Sequence, residues 1–122
     1  MFKKIKKMLG LMPMPLEEIN QILEKAEQGD VNAQYNIGTI YDVGEGIPKD
    51  TAKAIGWYQK AAEQGHAKAQ YMLGIMYESG DCLPYDAAKA VEWFKKAAKN
   101  GDQDALFHLN HIDQENTKNS KL

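Results

Sequence analysis

AEQGHAKAQYMLGIMYESGDCLPYDAAKAVEWFKK, residues 62–96, decides the fold because the chain says it more than once. Residues 26–60 read AEQGDVNAQYNIGTIYDVGEGIPKDTAKAIGWYQK, and residues 98–110 read AKNGDQDALFHLN, each displaced by 36 positions. Gly29, Gly65 and Gly101 fall in register. So do Ala33, Ala69 and Ala105, and the aromatics Tyr35, Tyr71 and Phe107. Pro48 matches Pro84, Asp50 matches Asp86, Ala54 matches Ala90, and Trp57 matches Trp93. Self-similarity at a period of this size marks stacked supersecondary units that bury their apolar faces on one another.

Each unit divides into two helices. Helix A is predicted over 31–43 and again over 67–79. Gly44 and Gly80 follow, where a left-handed cap is needed and glycine enters it without a Cβ penalty. Pro48 or Pro84 marks the turn. Asp50 and Asp86 then stand where a carboxylate can accept the free amides of a helix start. Helix B is predicted over 51–64 and 87–100, ending at Gly65 or Gly101. On helix A, Ala33, Ile37, Gly38 and Tyr41 share one face, as do Ala69, Leu73, Gly74 and Tyr77. Gly38 and Gly74 cost about 1 kcal/mol each as helix-interior glycines, which suggests that helix B of the same unit comes close there. Helix B offers Ala54, Trp57, Tyr58 and Ala61, then Ala90, Trp93, Phe94 and Ala97, and both tryptophans are expected in the core.

The array has ends. Residues 16–28 occupy the register of a helix B, with Ile19, Ile22, Leu23 and Ala26 as its apolar face. Residues 103–113 form a lone helix A, in which Asn110 replaces the glycine and Asp113 the tyrosine, as a solvent-facing cap allows. The domain division read from this is a basic N-terminal segment at 1–15, a repeat domain at 16–113 and a polar C-terminal tail at 114–122.

Charge bounds the function. The 122 residues carry a formal net charge of −2, but residues 1–14 hold Lys3, Lys4, Lys6 and Lys7 and no acid. The remainder has 11 lysines against 17 acids, a net of −6. Phosphate backbones require a positive surface, so no nucleic-acid partner is expected, and a basic protein partner fits better. The chain contains no arginine, which removes bidentate recognition of phosphate or carboxylate. Its single cysteine, Cys82, forms no internal disulfide and suits a reducing compartment; a cytoplasmic location is expected.

The N-terminus, MFKKIKKMLGLMPMP over residues 1–15, has a positive start and a short apolar stretch but no small-x-small cleavage site. A helix over 2–12 would place Phe2, Ile5, Leu9 and Met12 on one side and lysines on the other. Packing on the first repeat, disorder, and contact with a membrane surface are the readings open to it. Action as a signal would make the protein periplasmic.

The repeats resemble the Sel1-like family, α/α units related to tetratricopeptide repeats. The family pattern Ala-x-x-x-Leu-Gly-x-x-Tyr, a Gly-x-Gly turn, and Asp-x-x-Lys-Ala-x-x-Trp-Tyr-x-Lys-Ala-Ala is met by Ala69–Tyr77 with Asp86–Ala98, and by Ala33–Tyr41 with Asp50–Ala62. The turn pair is intact at Gly44 and Gly46 but becomes Gly80 and Cys82 in the second unit, so that loop is expected to differ in shape. The resemblance implies an all-α fold, a right-handed α/α superhelix or solenoid of about six helices. It also implies a scaffold that binds other proteins on a concave face lined by helix A.

With the motif residues turned to the core, the remaining helix A positions face outward. These are Asn32, Tyr35, Thr39 and Asp42, then Lys68, Tyr71, Ile75 and Glu78, and on the terminal helix Asp104, Phe107, His111 and Gln114. Tyr35, Tyr71 and Phe107 would line up as an aromatic stripe, a composition typical of binding hot spots. The other reading packs these rings between neighbouring helices A and exposes only their rims. The partner-binding set is therefore Asn32, Tyr35, Thr39, Asp42, Lys68, Tyr71, Ile75, Glu78, Phe107 and His111.

Catalytic signals are lacking. No nucleophile triad, phosphate loop or zinc motif occurs. His108 and His111 are three apart on one helix but want a third ligand, and are read as a surface pair. His66 is read as a helix cap and Cys82 as incidental. The expected function is a protein-binding adaptor or inhibitor, such as an immunity protein neutralising a bacterial toxin. It is expected to need no cofactor or metal and to act as a monomer or homodimer. A peripheral membrane adaptor and a hydrolase are the alternatives.

Overall fold

The computed structural model describes Gly10 and residues 13–120, with side chains through Ile112. Of residues 2–12 only Gly10 is described, and its left-handed φ of 69° does not continue a helix; the rest of the reading of 2–12 as an amphipathic helix lies outside the described residues. Among those described there are six helices and no strand: α1 Leu16–Glu27, α2 Val31–Val43, α3 Thr51–Glu63, α4 Ala67–Ser79, α5 Ala87–Lys99 and α6 Gln103–Ser120. The first five match the predicted spans to within a residue. The sixth runs past the predicted end at 113, because the polar run after Ile112 contains neither glycine nor proline to stop it.

The punctuation is physical. Gly44 and Gly80 are left-handed, with φ of 80° and 71°, and their amides bond to Ile40 and Met76. Asp50 and Asp86 accept the amides of Lys53 and Lys89 at 3.1 and 3.0 Å. The joint from each helix B to the next helix A is tighter still. Gly29, Gly65 and Gly101 have φ of 99°, 93° and 99°. The amides of Asp30, His66 and Asp102, one residue on, reach back to the carbonyls of Lys25, Ala61 and Ala97 at 3.1, 3.0 and 2.9 Å. That is a Schellman closure. The side chains of the same three residues accept the amides of Ala33, Ala69 and Ala105 at 2.9, 3.1 and 2.8 Å. One residue thus ends helix B with its backbone and starts helix A with its side chain. His66 fills the cap position read from the sequence.

The chain forms two compact units, Met1–Trp57 and Tyr58–Leu122. In the first, Ile19, Ala26, Ala33, Ile37 and Ile40 form the core, with Ile22, Leu23, Tyr41, Ile47 and Trp57 packed against it. Gly46 has φ of +78°, and a Cβ there would fall 2.5 Å from the Met14 carbonyl oxygen and 2.9 Å from Ile19 Cδ1. The second loop carries Cys82 at the corresponding place, and no residue other than glycine has positive φ among those described. The loop shapes differ, as expected from the lost glycine.

In the second unit, Ala90, Phe94, Ala97 and Ala105 make a buried cluster against which Tyr71, Ile75, Tyr77, Ala98, Leu109 and Ile112 pack. A Cβ on Gly74 would lie 2.5, 2.6 and 3.0 Å from three atoms of the Phe94 ring. This is the close approach of helix B inferred from a glycine in mid-helix. The tryptophans behave otherwise than expected. Tyr58 and Phe94 are the fully buried aromatics of helix B, whereas Trp57 and Trp93 are half-buried. Ala54, Tyr58 and Ala61 are spaced i, i+4, i+7, which centres the core face on Tyr58 rather than on its neighbour. The Lys96 ammonium covers the Trp93 ring at 4.5 Å, a cation–π contact.

Candidate protein-binding face

Helix A of each unit presents the candidate residues, and the units are described separately. On α2, Asn32 is exposed, and Tyr35, Thr39 and Asp42 are half-buried. The Thr39 hydroxyl donates to the Tyr35 carbonyl at 3.1 Å, so part of its polarity is used within the helix.

In the second unit the face is built from α4 and α6. Lys68 sits at its head. Its ammonium lies 2.9 Å from Asp104 and 3.1 Å from Asp102, and 4.9 Å above the Tyr71 ring. The hydrogen bond that the Lys68 ammonium donates to Asp104 raises its pKa above the usual lysine range, with Asp102 adding to it. Lys68 and Asp104 were both placed outward by the register; their pairing across adjacent helices A was not foreseen. Opposite charges 36 positions apart were the available signal. The Asp102 side chain is only 6% exposed, and it also caps α6.

Tyr71 follows the packing reading. Its ring is half-buried, 5.8 Å from Phe94 and 5.5 Å from His108, and burial raises its phenol pKa, with Asp104 pushing the same way. Ile75, expected outward, packs instead against the cluster around Phe94. Glu78 is exposed at the end of α4. His108, read as one of a surface pair, is half-buried. It stacks on Phe94 at 5.1 Å and 27°, and its Nδ1 lies 3.1 Å from the Asp104 carbonyl. His111 is exposed and its ring lies 4.3 Å from Phe107, itself 60% exposed. The face thus reads as a charged head at Lys68 and Asp104, a middle filled by Tyr71 and Ile75, and an open aromatic foot at Phe107 and His111. Gln114 lies outside the described side chains.

Two polar residues that the sequence reading passed over are buried in helix A. Gln34 and Gln70 are each 4% exposed and donate to the carbonyls of Ala26 and Ala62 at 3.2 and 3.0 Å. The Gln70 amide oxygen accepts from Asn100 at 3.0 Å. Their identity at one offset was the signal. Among the described residues no group of three metal-ligating side chains occurs, and no helix is long and apolar enough to cross a membrane.

The comparisons with known proteins agree with this architecture. The Sel1 repeat model matches residues 31–66 and 67–102. The chain belongs to the Sel1 repeat family. Membership in that family points to a protein–protein interaction module. Among solved structures, it resembles a protective antigen present in uropathogenic Escherichia coli strains and displaying an SLR fold. That match has 40% identity and a TM-score of 0.76, over 80% of this chain and 21% of the other. A Sel1 repeat protein from Oxalobacter formigenes matches at 40% identity and a TM-score of 0.69, over 71% of this chain and 36% of that one. Helicobacter pylori cysteine rich protein B matches at 25% identity and a TM-score of 0.70, over 75% of this chain and 68% of its own. The chain thus spans about a fifth and about a third of the first two. No curated protein matches it. The class expected from the sequence, all-α with Sel1-type repeats, is the class found.

Proposed function

We propose that this Sel1 repeat protein is a binding module without catalysis of its own, whose partner docks on the helix A face. The observation that carries the reading is Phe107, a large ring left 60% exposed beside His111. At the same register in α4, Tyr71 is packed away. Large exposed aromatics of this kind act as anchors that a partner desolvates. Lys68, Glu78 and Asp104 form its polar rim. Asn32, Tyr35, Thr39 and Asp42 hold the corresponding register on α2 of the first unit, and Tyr71 and Ile75 shape the floor rather than touch the partner broadly.

The more specific form is a cytoplasmic inhibitor of a basic protein, such as an immunity protein for a toxin domain. The net −6 over the chain beyond residue 14 supports it, since complementary charge speeds association and selects partners. Partners are captured from the native cell with the full chain and identified by mass spectrometry. Binding is then remeasured with Phe107→Ala. A loss of about tenfold or more with unchanged helicity is expected for a hot spot. Undiminished affinity refutes the face.

A further inference from the structure

Asn100 is the one asparagine in the chain that precedes a glycine. The other two corners of the same kind carry Gln28 before Gly29 and Gln64 before Gly65. That difference of one methylene matters chemically. The nitrogen of the next residue closes a five-membered ring on an asparagine amide, whereas a glutamine amide needs a six-membered one. Glycine puts no Cβ in the way of that approach.

The fold holds this step shut. Asn100 has φ of −90° and ψ of 12°, and a flat ring needs that ψ turned well away. The Gly101 amide, the nucleophile of such a closure, donates to the Ala98 carbonyl at 3.0 Å. The Asn100 side chain is tied down as well, its Nδ2 donating to Gln70 Oε1 at 3.0 Å. Gln70 cannot turn round to release it. Its Nε2 is committed to the Ala62 carbonyl at 3.0 Å, and a carbonyl only accepts. Gln70 is buried, while Asn100 is open to water. This corner also lacks a brace that the other two have. The carbonyls of Ala26 and Ala62 each receive a glutamine from the following helix A, Gln34 and Gln70. At the third corner the same register holds Leu106, 46% exposed, which has no donor to offer. The tether from Asn100 to Gln70 stands in its place.

We propose that Asn100 is a site of spontaneous deamidation that Gln70 holds in check, and that its conversion unlocks the α5–α6 corner. When the corner opens, the Gly101 nitrogen gives its proton to solvent base and bonds to Asn100 Cγ. The Cγ–Nδ2 bond breaks and ammonia leaves. Water then opens the succinimide at either carbonyl, giving aspartate or isoaspartate. Aspartate sets a carboxylate against Gln70 Oε1, two acceptors with no proton between them, and a buried acceptor stripped of its donor is costly. Isoaspartate lengthens the backbone by one carbon inside the closure that the Asp102 amide makes with Ala97. Either product loosens the seat of α6.

The full-length chain, held at mildly alkaline pH, is followed at Asn100 by peptide mapping, and a peptide of residues 97–104 gives the unguarded rate. The parent should convert at least about tenfold more slowly than the peptide, because only the opened corner reacts. Gln70→Ala should speed conversion about fivefold, the gain in open population from losing one hydrogen bond. Should that variant fail to fold, Gln70→Met keeps the volume and lacks the acceptor. Asp86→Ala removes a cap at the other kind of corner and touches neither residue, so it serves as the control, compared at matched stability set by low urea. Equal acceleration by Asp86→Ala overturns the guarding role of Gln70. An Asn100 that stays intact in the Gln70 variant while the peptide is consumed overturns the site. Asn100→Asp, one of the two products, should speed hydrogen exchange of the Asp102 amide about fivefold and leave that of Asp86 unchanged. Unaltered exchange at Asp102 overturns the unlocking.

Discussion

Gly74→Ala should destabilise the protein although alanine is the better helix former. Substitution inside α4 gains about 1 kcal/mol of helix propensity. Against that, the new Cβ would stand 2.5, 2.6 and 3.0 Å from Cε1, Cδ1 and Cζ of Phe94. Carbon atoms rest at about 3.5–4.0 Å, so the overlap approaches 1 Å at two ring atoms. Phe94 has no room to yield, being 0% exposed and in ring contact with Tyr71 and His108. Overpacking of this kind costs about 1–3 kcal/mol, and more where the neighbour is rigid. The net loss is up to about 2 kcal/mol, which lowers Tm by as much as roughly 8 °C in a chain of this size. Gly56 is the internal control. It also lies inside a helix, α3, but a Cβ there meets nothing within 4 Å, so Gly56→Ala should gain about 1 kcal/mol. Thermal and urea unfolding of the two variants measure the opposite signs. Adding Phe94→Leu to Gly74→Ala should recover part of the loss, with a coupling of about 1 kcal/mol. A Gly74→Ala chain as stable as the parent, or gains at both glycines, would refute the close-approach reading.

Three further outcomes follow from the caps and the lysine pair. His66 accepts the Ala69 amide through Nδ1, which requires a neutral ring, and burial lowers its pKa below the ordinary 6.5. Its stabilising contribution is full above the unfolded value and is lost as pH falls through the lowered folded value. Thermal unfolding between pH 7.5 and 5 should therefore show a steeper loss for the parent than for His66→Asp, which restores the carboxylate found at Asp30 and Asp102; parallel curves would contradict this. Asp102→Ala removes both a cap and a partner of Lys68, and should cost about 1–2 kcal/mol. Asp102→Asn keeps an acceptor and should cost less, by urea titration. Asp104→Ala touches only an exposed pair, Asp104 being 64% exposed, and should change stability by under about 1 kcal/mol.

Helix ends were legible because single residues make them. A glycine that must turn left-handed and an aspartate that must accept an amide are local requirements, and both recur at an offset of 36. Which ring fills the core was less legible. Trp57 and Tyr58 are neighbours, as are Trp93 and Phe94, and the choice depends on an angular offset that only the packed helix sets. The candidate face was legible as a register but not as a surface. Tyr71 and Ile75 lie on the stripe that the count assigned outward, yet α5 and α6 close over that stripe in the second unit. His108 gave no sign of stacking on Phe94, although the two lie on consecutive helices, since the stacking depends on the angle at which α6 packs on α5.

The joint at Asp30, His66 and Asp102 bears on how such a chain can lengthen. A residue that closes one helix and opens the next leaves no free hinge between them, and at the first two joints Gln34 and Gln70 bolt the corner from inside. The connections from helix A to helix B are held by one residue as well: the amides of Asp50 and Asp86 bond back to the Tyr41 and Tyr77 carbonyls at 2.9 and 3.1 Å, and their carboxylates cap the helix that follows. Both kinds of corner are therefore locked by a single residue, and neither leaves a free hinge. Duplication in steps of 36 residues would therefore copy a lock into every new corner, so the array can lengthen without gaining a loose joint.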